Sequence, residues 1–141
     1  RKCRRCRSYL YLSILNFFMG SFDFLLVAIG GALGSLLRGI ISYFLISFSP
    51  WPTLAVNLIG AFFIGVLVKL MENSTSPDYF RAFWIIGVCG GFTTFSTFGM
   101  EMMDFIKASQ WTMCLIYVTL SVVGSLFAIF GAFRLLAFLQ A

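Results

Sequence analysis

Apolar residues gather into four long runs, separated by short links rich in charge, proline or small polar residues. A helix that crosses a bilayer needs about 20 predominantly apolar residues, and each run supplies them. The first covers residues 22–44 and is interrupted only by Arg38. Ser47-Phe48-Ser49-Pro50-Trp51-Pro52 then reads as a turn, with two prolines flanking a tryptophan of the kind that sits at a membrane interface. Residues 53–71 form the second run, 80–106 the third and 111–139 the fourth. Residues 72–78, the most polar stretch of the body, read as a loop, and 107–110 as a short link. The pattern predicts an all-α integral membrane protein of four transmembrane helices.

Composition supports the pattern and removes whole classes of function. Of the 141 residues, 60% are hydrophobic and 11% charged, against about half and a quarter in ordinary soluble domains. There is no histidine, and the carboxylates are Asp23, Glu72, Asp78, Glu101 and Asp104. That excludes a Ser-His-Asp triad, a His-based hydrolase or oxidoreductase and a conventional zinc site, so the chain does not read as an enzyme. The net charge of +5 comes entirely from Arg1, Lys2, Arg4, Arg5 and Arg7, and the remaining bases and acids balance. No basic face is left on the body, and nucleic acid is not an expected partner. Residues 1–21 form a basic and apolar N-terminal extension, and 22–141 the transmembrane domain. Residues 1–18 read equally as foreign to the functional unit, Met19 being a natural start, and as an interfacial anchor on anionic headgroups. Cys3 and Cys6 lack the further ligands of a zinc tetrad, while Cys89 and Cys114 read as small hydrophobes.

Four spans put the N-terminus, the 72–78 loop and the C-terminus on one side. Lys69, Arg81 and Arg134 border that side and Lys107 the other, a weak bias of the sort expected of a chain that inserts in both orientations. The basic extension, where present, favours the N-terminus inside. Gly30 and Gly34 form a G-x-x-x-G, and Ala61 with Gly65 repeats the spacing. Such small residues let helices approach closely, within one subunit or between two. Four thin helices hardly enclose a pore alone, so at least a homodimer is expected.

Polar groups at membrane depth are costly and therefore informative. Gly30, Gly34, Arg38 and Ser42 are spaced by four on the first helix. Arg38 faces a partner or an aqueous vestibule, or snorkels to the headgroups. Asn57 places an amide near the entrance of the second helix, where its N–H donors suit an anion or a neighbouring helix. In the third helix, Gly90-Gly91-Phe92-Thr93-Thr94-Phe95-Ser96-Thr97 makes a poor continuous helix, and a break over 90–97 is expected. In transporters and channels, freed carbonyls at such breaks bind cations and helix termini face anions. A kink with locally satisfied polar groups is the plainer alternative. Tyr117, Ser121 and Ser125 line one stripe of the fourth helix, as a hydrogen-bonded seam or as a path for a small solute. Phe95 and Phe98 share a face of the polar run, and ring edges are positive enough to line a route for a small anion.

Gly91-Phe92-Thr93-Thr94-Phe95-Ser96-Thr97-Phe98 followed by Glu101 resembles the signature of the Fluc (CrcB-type) fluoride channels. Gly30-Gly31-Ala32-Leu33-Gly34 with Arg38, Thr53-Leu54-Ala55-Val56-Asn57 with Gly60, and Gly124-Ser125 resemble the family's other helices in the same order. The resemblance covers about residues 24–139. It implies an antiparallel, dual-topology dimer of four-helix subunits in the bacterial plasma or inner membrane, with two fluoride pores along the subunit interface. By the same resemblance Asn57, Phe95 and Phe98 line the pore, with Ser96, Thr97, Tyr117 and Ser125 on its polar track. The carbonyls of Gly90 and Thr93 would hold a structural Na⁺ on the twofold axis. Arg38 would stand in a vestibule or serve structure, and Glu101 matches an acidic position without a firm role. Pro52 stands where the family usually has Gly, and Gly99 where it usually has Ser. A basic extension that fixes one orientation would turn the homodimer into a pair with a homologous partner subunit. Fluoride is small and strongly hydrated, so a passive path must replace its water with donors step by step. The function implied is passive export of cytoplasmic fluoride, which protects against its toxicity.

Two rival readings stay distinguishable. A small four-helix multidrug/proton antiporter needs a carboxylate inside the membrane on its first helix, and Asp23 is the candidate. A non-transporting assembly subunit predicts that Phe95→Ile and Phe98→Ile alter packing and carry no consequence for flux.

Overall fold

The computed structural model describes residues 20–71 and 78–139. The N-terminal extension and the 72–77 loop lie outside the described residues. The described residues are almost all helical, and four helical spans are long and apolar enough to cross a membrane. Helix α1 covers Ser21–Phe44 and α2 covers Trp51–Met71. The third span, Asp78–Lys107, is divided. Its first half, residues 78–92, is called α3; its central turns, Ala82–Cys89, wind as a wider π-helix. Its second half is α4, Phe95–Lys107, and α5 covers Trp111–Leu139.

The ends follow from local chemistry. The Asp23 carboxylate accepts from the Gly20 amide at 2.9 Å and caps α1. This places Asp23 at the helix end, where a carboxylate also complements the helix dipole. At the other end of the fold, the amides of Ala108, Ser109 and Gln110 return to the carbonyls of Asp104, Ile106 and Phe105. Ser109 takes a left-handed φ of 57°, the conformation that closes a helix C-terminus and here turns the chain into α5.

Two helix pairs build the subunit: α1 packs on α3, and α2 packs on α5. Glycine makes both approaches possible. A Cβ on Gly30 would lie 2.5 Å from the Phe83 carbonyl oxygen, and one on Gly34 would lie 2.2 Å from that of Val88. In α2, a Cβ on Gly65 would stand 2.9 Å from the Ala132 Cβ of α5. The glycine spacing therefore serves packing within one subunit, because in lipid close backbone contact replaces the hydrophobic drive between helices. A small cluster of Leu54, Phe98 and Tyr117 is buried where α2, α4 and α5 meet.

The division of the third span is narrower than 90–97. Gly90–Phe92 is helical and Ser96 and Thr97 lie in the first turn of α4; only Thr93 and Thr94 leave helical geometry. Gly91 explains the first part of this correction. Its backbone lies so close to α1 that a Cβ would come 2.4 Å from the Gly31 carbonyl oxygen, so the glycine serves close packing of a helix rather than its unwinding.

Candidate functional site

Two extended residues at mid-span leave backbone groups without their usual helical partners, and side chains from α1 and α2 supply replacements. Asn57 of α2 bonds both ways to Thr94: its Nδ2 donates to the Thr94 carbonyl at 3.1 Å, and its Oδ1 accepts from the Thr94 amide at 2.8 Å. The Thr94 hydroxyl caps α4, accepting from the Thr97 amide at 3.2 Å. It also donates to the Thr97 hydroxyl at 3.0 Å and lies 3.3 Å from that of Ser96. On the α3 side, the Gly91 carbonyl accepts from Ser35 Oγ at 3.3 Å and from Arg38 Nε at 3.2 Å. Arg38 thus reaches into the protein instead of snorkelling.

The diverted amides decide which carbonyls are released. In a continuous helix the Thr94 amide would bond Gly90 and the Thr97 amide would bond Thr93. Here the first goes to Asn57 and the second to the Thr94 hydroxyl. The Gly90 and Thr93 carbonyls are therefore deprived of those donors, as the Phe92 carbonyl is of the Ser96 amide, while Gly91 and Thr94 keep side-chain donors; Gly90 and Thr93 are the two that the family resemblance singles out. Neutral carbonyl oxygens of this kind suit a hard cation such as Na⁺, so the donor set fits the expected ion.

Below the break lies an aromatic and acidic ladder. Phe95 is 80% exposed, although it sits at mid-span, and Ser96 and Thr97 beside it are exposed as well. The Phe95 and Phe98 rings are 5.5 Å apart, Phe98 and Tyr117 5.2 Å, and Tyr117 and Phe105 5.9 Å. The Tyr117 hydroxyl donates to Glu101 Oε2. Glu101 Oε1 accepts from Thr53 Oγ1 at 2.8 Å and from Ser49 Oγ at 3.5 Å. Three hydroxyls from three segments thus hold one carboxylate, and their hydrogen bonds offset its removal from water. Glu101, Thr53, Thr97, Ser42 and Ser49 line a cavity of about 300 Å³.

Most of the residues singled out from sequence converge here. Asn57, Gly90, Thr93, Ser96 and Thr97 surround the break, and Phe95, Phe98, Tyr117 and Glu101 form the ladder. Ser125 stands apart, two helical turns along α5, where it donates to the Ser121 carbonyl at 2.7 Å. Ser121 Oγ is buried and has no partner among the described residues. Ser35, Ser49, Thr53 and Thr94 were the omissions. Thr53 precedes Asn57 by four residues on the same helix, and that spacing was the available signal.

A profile of the family described as CrcB-like protein, Camphor Resistance (CrcB), matches residues 25–133, which take in both the break and the ladder. The chain belongs to the CrcB-like family. The chain is also similar to the fluoride-specific ion channel FluC of Leptospira interrogans, 40% identical over 117 residues that cover 79% of this chain and 92% of that one. The FluC of Azobacteroides pseudotrichonymphae is 36% identical over 118 residues, covering 80% and 94%. That of Bordetella petrii is 42% identical over 106 residues, covering 74% and 83%. The CrcB-like assignment fits the four-span architecture: the protein is a multi-pass membrane protein with bacterial relatives.

Proposed function

We propose that this CrcB-like protein is a passive fluoride channel, built from two antiparallel copies with a pore along each side of their interface. The observation that carries the reading is the exposed face at mid-span, where Phe95, Ser96 and Thr97 are left uncovered by their own subunit. Hydroxyls at membrane depth call for a protein partner or a water-filled cavity. A second copy supplies both, covering the face and leaving a path beside it. The relatives named for fluoride-specific conduction supply the ion.

Fluoride holds its water tightly, so each step of the path must offer a donor. Thr97, Ser96 and the second N–H of Asn57 Nδ2 serve at the break, with the positive edges of Phe95 and Phe98 between them. α4 opens at this level, so the positive end of its dipole favours an anion there. Tyr117 and Ser125 continue the hydroxyl track along α5. Arg38 adds fixed positive charge on the α1 side of the break. Thr53 and Ser49 bind the Glu101 carboxylate, which leaves its hydroxyl partners oriented at the cavity wall. The carbonyls of Gly90 and Thr93, doubled by a second copy, would hold Na⁺; when bound, it supplies positive charge that eases an anion's passage nearby. None of these residues couples flow to an energy source, so direction follows the gradient, outward when the cell is loaded. Asp23 caps α1 from its first turn, at the helix end and not at the mid-span depth where an antiporter's carboxylate would be needed.

Two measurements test the reading together. In fluoride-loaded liposomes, Phe95→Ile should abolish efflux while the protein stays dimeric. In sealed vesicles, a single cysteine at Ser109 on a background without the four native cysteines should react with an impermeant maleimide from each side to about half. Labelling from one side only would contradict the antiparallel pair.

A further inference from the structure

The Gly91 carbonyl stands between the two carbonyls assigned above to the cation, and it is the one that α1 grips. We propose that Arg38, together with Ser35, is the positioning residue of the helix break: by holding the Gly91 carbonyl against α1 it aims the Gly90 and Thr93 carbonyls at the cation. The inference rests on the cation reading proposed above.

Arg38 uses Nε, the nitrogen nearest its stem, and directs it inward at 3.2 Å from the Gly91 oxygen. Ser35, one turn earlier on the same face, adds a second donor at 3.3 Å. Gly31 completes the stripe by backbone contact, since a Cβ on Gly91 would meet the Gly31 carbonyl at 2.4 Å. The end of α3 therefore leans on three consecutive positions of one helix face. Successive carbonyls of a helix are turned by about 100° around its axis. Fixing Gly91 toward α1 thus turns Gly90 away from it, and it sets the plane from which the chain departs at Thr93, with φ −78° and ψ 157°.

The alternative role for Arg38 is a charge in a vestibule, which any cation of similar length would fill. The two roles separate because lysine keeps the charge but has no donor at the Nε position and no planar fork. The negative end of the α3 dipole also favours a cation here, and lysine satisfies that term too. Only the aimed hydrogen bond is specific to arginine.

The test uses the full-length protein in detergent and follows the thermal unfolding midpoint as Na⁺ replaces N-methylglucamine. Wild type should gain stability with Na⁺ and saturate. Arg38→Ala and Arg38→Lys should each need about tenfold more Na⁺ for half the gain, a change equal to about 1.4 kcal/mol. Ser35→Ala, which leaves Arg38 in place and is the milder lesion, should need about threefold more. Fluoride efflux from liposomes should fall at low Na⁺ in these variants and recover at high Na⁺. A uniform loss of midpoint with unchanged half-saturation would reduce Arg38 to a packing role and overturn the proposal. Wild-type behaviour of Arg38→Lys would overturn it in favour of charge alone. Absence of any Na⁺ response in wild type would remove the cation reading itself, and this inference with it. If Arg38→Ala does not fold, Arg38→Lys and Ser35→Ala carry the same decision.

Discussion

Tyr117→Phe removes one oxygen and nothing else, which makes it the sharpest probe of the carboxylate site. The ring is 2% exposed and packs between Phe98 and Phe105, so the phenylalanine fills the same space. What is lost is the donor to Glu101 Oε2. A hydrogen bond to a charged group contributes about 1.5–3 kcal/mol. Tyr117→Phe should therefore destabilise by about 2 kcal/mol, and Thr53→Val, which removes the 2.8 Å bond to Oε1, by about the same. In a Glu101→Gln background the partner is neutral, and Tyr117→Phe should cost only about 0.5–1 kcal/mol. The difference, about 1–1.5 kcal/mol, is the coupling between hydroxyl and carboxylate. It can be read from a double-mutant cycle by unfolding in mixed micelles, followed by fluorescence of Trp51, Trp84 and Trp111. A coupling below about 0.3 kcal/mol, the limit for independent sites, would refute the hydroxyl-held carboxylate.

Other substitutions separate packing from conduction. Gly34→Val places a side chain against the backbone of Val88 and Phe92, which cannot move aside as a side-chain tip can; stability should fall by about 1–3 kcal/mol in the same assay. Asn57→Ala removes both bonds to Thr94, releases the break, and should lower fluoride efflux at least tenfold along with a loss of about 2 kcal/mol. Phe98→Ala opens the buried cluster and should cost about 3 kcal/mol, whereas exposed Phe95→Ile should change subunit stability by less than about 0.5 kcal/mol and still stop flux.

The spans were legible from hydropathy because a bilayer allows few alternatives: 22–44 became Ser21–Phe44, and 111–139 became Trp111–Leu139. The third span was also foreseen as broken, but its break shrank to Thr93 and Thr94. Glycine carries two messages in a membrane helix, unwinding and close approach, and composition alone does not distinguish them. At Gly91 the neighbouring Gly31 backbone decides for close approach. Glu101 was seen as an acid without a task because its partners, Ser49, Thr53 and Tyr117, come from distant parts of the chain. Arg38 illustrates the same limit. Its depth in α1 marks it as unusual, yet only the fold shows that the carbonyl it meets lies 53 residues away.

The central claim is selective, passive fluoride conduction, and ion release from liposomes carrying the purified protein tests it most directly. An external fluoride electrode should record rapid loss of an internal fluoride load when a potassium ionophore balances charge, with no release when the liposomes hold chloride. Equal release of both ions, or of neither, would contradict it.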